Sequence, residues 1–166
     1  MSNRTGVTEH SPRLPRLFTY AGILPFLILA AAHIYVVREG LWSLADLIPR
    51  ALLLYAITIF SFLNGIRWGI AIVATPVRTT DIILSIIAFF AGWAVFLGSF
   101  VFVLDSHAGW GFIAFAVLFL IHYLWDRSAA NEGHIPMWFL RQRFVASASA
   151  AISLAASAVV LLAIAG

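Results

Sequence analysis

Ser61-Phe62-Leu63-Asn64-Gly65-Ile66-Arg67-Trp68-Gly69 is the stretch that decides how this chain is read. It lies inside an apolar run from about Leu47 to Ala74, longer than the roughly 20 residues that cross a bilayer. Within that run stand an amide, a guanidinium and two glycines. An arginine at membrane depth costs about 2.5 kcal/mol or more, so it is normally paired or reached by water. The remaining sequence therefore poses two questions. They are how many spans accompany this one, and which polar groups those spans bring to Arg67.

Outward from this stretch the chain is apolar almost throughout. Of 166 residues, 63% are hydrophobic and 10% charged, and the mean hydropathy of +1.00 belongs to a membrane protein rather than a soluble domain. No cysteine occurs, which excludes disulfides, thiolate metal sites and cysteine nucleophiles. All ten basic residues are arginine. Most flank apolar runs, as orientation by positive charge requires, and no basic cluster with interleaved aromatics suggests nucleic acid.

The pattern predicts an all-α bundle of five transmembrane helices over about 17–37, 47–74, 82–104, 109–125 and 144–165, as one domain (17–166) behind a disordered arm (1–16). The first run is too long for a signal h-region and lacks a good cleavage site, so it reads as an uncleaved span. Pro25 predicts a local kink there, its freed carbonyl satisfied by a neighbouring helix. In span three, Ser85, Gly92 and Ser99 recur every seven residues. Ser149, Ser153 and Ser157 recur every four in span five, and Gly65 and Gly69 form a Gly-x-x-x-Gly pair in span two. Small residues at these spacings let helices approach closely.

Five spans put the termini on opposite sides. With the N-terminus cytoplasmic, one side holds Arg4, Arg13, Arg16, Arg78, Arg127, Arg141 and Arg143, and the other holds Arg38 and Arg50. Positive charge favours that orientation. It predicts a multi-pass protein of the bacterial inner membrane with a periplasmic C-terminus. Arg67 then lies in the inner half of span two, about seven residues or roughly 10 Å from its end. His122 and Asp126 close span four on the same side, and Trp138–Arg141 forms an interfacial segment there. Asp126 is the expected counter-ion of Arg67, with Asn64 hydrogen-bonded to the same cluster. The plainer alternative is that Arg67 snorkels to the headgroups and only anchors the helix.

A catalytic set is not evident. No H-E-x-x-H, G-x-S-x-G or phosphate-binding glycine motif occurs, and all seven acidic residues fall outside the spans or at their edges. His33 and His122 sit near opposite membrane faces, which argues against a shared haem. The expectation is no cofactor and no metal.

Several segments together resemble domain of unknown function 3429, the transmembrane protein 69-like family of inner-membrane proteins. They are Phe60–Gly69 preceded by Tyr55, Gly22-Ile-Leu-Pro-Phe26, Ala91-Gly-Trp93, Asp126 and Pro136-x-Trp138-x-x-x-Arg141. The resemblance covers most of the chain and implies a five-helix inner-membrane protein with no established activity. It also implies a histidine before the Trp68 position, where this chain carries the fixed charge of Arg67. Besides the lipid bilayer, the expected partner is a larger membrane complex that the protein serves as a non-catalytic accessory or assembly factor. The alternative is a lipophilic ligand (quinone, lipid or tetrapyrrole) in a cytoplasmic-side pocket bordered by Arg67, Trp68, His122 and Trp138. A membrane enzyme is the least supported reading.

Overall fold

A helix satisfies the backbone groups of such an apolar run within the segment itself, without water, and five helices form among the described residues. The computed structural model describes residues 13–101 and 108–165. The helices are α1 (Arg13–Arg38), α2 (Trp42–Val73), α3 (Thr79–Val101), α4 (Ala108–Asn131) and α5 (Met137–Ala165), each long and apolar enough to cross a membrane. The protein is a multi-pass membrane protein. Most of the arm, the end of span three at Leu104 and part of the Asp105–Trp110 turn lie outside the described residues.

The starts of α1, α2, α3 and α5 and the end of α4 extend beyond the spans read from the sequence, and each extension takes charged residues into helix, Asp46 in the case of α2. α1 begins at Arg13, because Pro15 in a first turn lacks only an N–H that would have no intrahelical partner. Thr19 Oγ1 donates to the Pro15 carbonyl at 2.9 Å. α3 starts at Thr79, which takes Asp81 out of the expected loop and into the first turn. The polar segment 126–143 is mostly helix, since α4 runs on to Asn131 and α5 begins at Met137. Gly133, at φ +78°, ends α4. The His134 N–H reaches the Ala129 carbonyl (2.9 Å) and the Gly133 N–H reaches that of Ala130 (3.0 Å), the two bonds of a Schellman stop.

Each helix packs on its neighbours in the chain, and α1 packs on α5, so the five close into a ring. α2 leans inward and its backbone approaches all four others. An odd number of spans makes the closing pair, α1 and α5, parallel, and Thr19 Oγ1 bonds Gln142 Oε1 across that seam at 3.2 Å. The core is aromatic. Phe26, Phe60, Phe112, Phe115 and Phe119 are buried, with Phe60 edge-on to Phe115, Phe119 and His122. Leu24, Ile28, Phe90, Leu120, Ile152 and Val159 point outward, as expected where the solvent is lipid.

Pro25 does not break α1. Tyr55 Oη donates to the Gly22 carbonyl at 2.7 Å, beside the Ala21 carbonyl that Pro25 leaves without an intrahelical donor. In α3, Ser85, Gly92 and Ser99 are buried. A Cβ on Gly92 would lie 2.6 Å from the Phe60 ring, and one on Gly111 of α4 would collide with Ser99 Oγ. At the opposite end of the bundle from Arg67, Arg50 Nη1 donates to the Phe100 carbonyl at 2.8 Å while its Nε pairs with Asp46.

Candidate functional site

α1, α3 and α5 begin, and α2 and α4 end, at one end of the bundle, which concentrates the buried charge there. Arg67 (α2) is 2% exposed. Its Nη2 is 3.5 Å from Asp81 Oδ1 and its Nη1 is 3.8 Å from Asp126 Oδ1, and its guanidinium lies 4.2 Å above the Trp125 ring. None of its three nitrogens makes a hydrogen bond. It is held by charge on two sides and by a π face on a third.

The two carboxylates are claimed by other residues. Arg143 Nε donates to Asp126 Oδ2 at 2.7 Å. Arg143 Nη2 lies 3.1 Å from His122 Nδ1, which must accept, because a guanidinium can only donate. Arg78 Nε pairs with Asp81 Oδ2 at 2.9 Å, its Nη2 donates to Glu132 Oε2 at 2.9 Å, and Trp125 Nε1 donates to Asp81 Oδ1 at 3.2 Å. Arg67, Arg78 and Arg143 thus face Asp81, Asp126 and Glu132. The network is neutral as a whole.

The space against Arg67, His122, Asp126 and Arg143 is too tight for a water molecule. Beside it, however, is a cavity of about 280 Å³ among α1, α2, α4 and α5. Phe18, Phe26, Phe62, Phe119 and Phe139 contribute to its walls, and Thr19, Gln142, Arg143 and Ser147 gather at one side. Phe18 of α1 and Phe62 of α2 are 70% and 64% exposed, so the cavity wall reaches the outer surface of the bundle at these two helices. Ser147 is 1% exposed and its Oγ has no hydrogen-bond partner.

The sequence profile described as Protein of unknown function (DUF3429) matches residues 11–159, nearly the whole bundle. The chain belongs to the DUF3429 family. Comparison with curated proteins and with solved structures gives no match. The DUF3429 description names no activity, so the candidate features are those of the geometry, the cavity and the charge network.

In this DUF3429 chain, Arg67, His122 and Asp126 come together as the sequence suggested, but the set around them differs. Asn64 is buried, yet its Nδ2 donates to the Phe60 carbonyl of its own helix at 2.9 Å, because it sits one turn too deep to reach the carboxylates. Trp68 is 48% exposed on the outer face of α2. Trp138 is half-buried against Phe139, and Arg141 is exposed. The aromatic partner of Arg67 is Trp125 instead. Gly65 and Gly69 face outward, with nothing within 4 Å of a Cβ at either, so among the described residues no other helix lies over them. Ser153 and Ser157 are buried and Ser149 partly so.

Asp81 and Arg143 were missed as partners. Both fall outside the spans read from hydropathy, although their spacings carry a signal. Asp81 precedes Ser85 by one turn on the small-residue stripe of α3. Arg143 likewise precedes Ser147, Ala150 and Leu154 on a buried stripe of α5.

Proposed function

We propose that this membrane protein binds a lipophilic small molecule of the quinone, lipid or tetrapyrrole class. The supporting observation is the cavity of about 280 Å³ with phenylalanines in its walls, two of which, Phe18 and Phe62, are exposed on the outside of the bundle. Largely apolar, partly enclosed spaces with a few convergent polar groups are the usual form of small-molecule sites. The charge network supports the cavity wall by fixing Arg143 through Asp126 and His122. Mass spectrometry of the protein extracted in mild detergent tests the reading. A small molecule should co-purify, and filling the cavity with Ala146→Phe should remove it. A protein that carries none, whatever the residue at 146, overturns it.

A second reading, an accessory or assembly subunit of a larger membrane complex, rests on Gly65, Trp68 and Gly69. These form an outward face of α2 that no helix of this chain covers, and such glycines let a helix approach closely. Pull-down with Gly65→Leu/Gly69→Leu distinguishes the two, since a stoichiometric partner lost in that variant would favour the accessory role. For orientation we propose a cytoplasmic N-terminus and periplasmic C-terminus in a bacterial inner membrane. The arginine imbalance of the flanking segments supports it, and reporter fusions to the C-terminus test it.

A further inference from the structure

Resting on the ligand-binding reading above, the geometry points to the chemistry of the ligand's head group. We propose that it is neutral, planar and carbonyl-bearing, as in a substituted benzoquinone. Its carbonyl accepts a hydrogen bond from Ser147 Oγ, and its apolar tail leaves between Phe18 and Phe62.

Three independent observations converge on this class. The first is charge. Among the described residues Arg143 is the one charged side chain lining the cavity, and its charge is already met by Asp126 at 2.7 Å. An anionic head group would have to compete with that carboxylate, and a cationic one would meet a guanidinium. A neutral head group does neither. The second is the Ser147 hydroxyl, buried in the cavity wall with no partner. A buried hydroxyl without a partner is left with its desolvation cost uncompensated, and a ligand carbonyl removes that cost. The third is shape. Five phenylalanines line the cavity, with Phe26 and Phe119 edge-on at 5.6 Å, and ring faces and edges favour a flat conjugated group over a saturated chain. A volume of about 280 Å³ lies at the small end of ligand sites, roughly 300–1,000 Å³. It suits a single substituted ring and not a tetrapyrrole macrocycle.

The test uses the full chain in nanodiscs with decylubiquinone, oleate and dodecane as probes, measured by equilibrium binding to wild type, Ser147→Ala and Ala146→Phe. The expected result is saturable binding of decylubiquinone, weakened about three- to tenfold by Ser147→Ala, the worth of one hydrogen bond, and abolished by Ala146→Phe. Oleate binding as tightly as the quinone would overturn the neutral head group while leaving the ligand-binding reading intact. Dodecane binding as tightly would overturn the carbonyl contact. Quinone binding indifferent to both substitutions would put the quinone outside this cavity and overturn the proposal. Failure of all three probes, in a wild-type protein from which a different small molecule co-purifies, would overturn only the head-group class. Failure with nothing co-purifying would overturn the binding reading itself.

Discussion

Asp126 is bonded by Arg143, not by Arg67. Arg143 Nε is 2.7 Å from Asp126 Oδ2, against 3.8 Å for the nearest Arg67 nitrogen to the same carboxylate. Both arginines are buried, but only one makes the hydrogen bond that offsets the cost of burying charge. In a double-mutant cycle read by unfolding in detergent, Asp126→Asn and Arg143→Gln should therefore couple by about 0.5–3 kcal/mol. Asp126→Asn and Arg67→Gln should couple more weakly. Equal coupling in the two cycles would mean that Arg67 shares Asp126 fully.

Removing each arginine alone should separate them further. Arg143→Met strips Asp126 of its direct donor and should cost about 3–5 kcal/mol, as for a broken buried pair. Arg67→Met should cost less, because Asp81 keeps Arg78 and Trp125 while Asp126 keeps Arg143. Thermal unfolding of the two variants side by side gives the ranking.

Glycines of one composition should behave in opposite ways. Gly111→Ala drives a methyl into Ser99 Oγ and should destabilise the protein by about 1–3 kcal/mol, the usual cost of overpacking. Adding Ser99→Gly should restore most of that loss. Gly65→Ala and Gly69→Ala meet open space and should leave monomer stability unchanged or slightly raised through helix propensity.

Tyr55→Phe removes the 2.7 Å bond to the Gly22 carbonyl. The expected loss is about 0.5–1.5 kcal/mol. Since Gly22 also lines the cavity, affinity for the proposed ligand should fall together with stability, and measuring both on the same preparation checks the link.

The spans were legible in the sequence because the lipid-facing surface demands uninterrupted apolar length, and length survives without knowledge of packing. The shared depth of Arg67, His122 and Asp126 was legible too, since the alternation of the spans puts the ends of α2 and α4 at one end of the bundle. The partners of these residues were not. Asp81 and Arg143 are polar residues next to turns, and hydropathy assigns such residues to the outside. Only the inward faces of α3 and α5 bring them under cover. The cavity lay beyond reach for a different reason. Its walls come from four helices, and whether Phe18, Phe62 and Phe139 interlock or leave room depends on how α1 settles against α5.

That closing contact has a consequence for how the molecule is made. Every other major helix pairing joins neighbours in the chain and can form as soon as the next span enters the membrane. The pairing of α1 with α5 joins the first helix synthesised to the last, and the cavity is built along that junction. Until translation finishes, the flank that becomes the cavity lies open to the bilayer. On the proposed reading, a hydrophobic guest already dissolved there is enclosed as the bundle shuts, without needing to find a doorway afterwards.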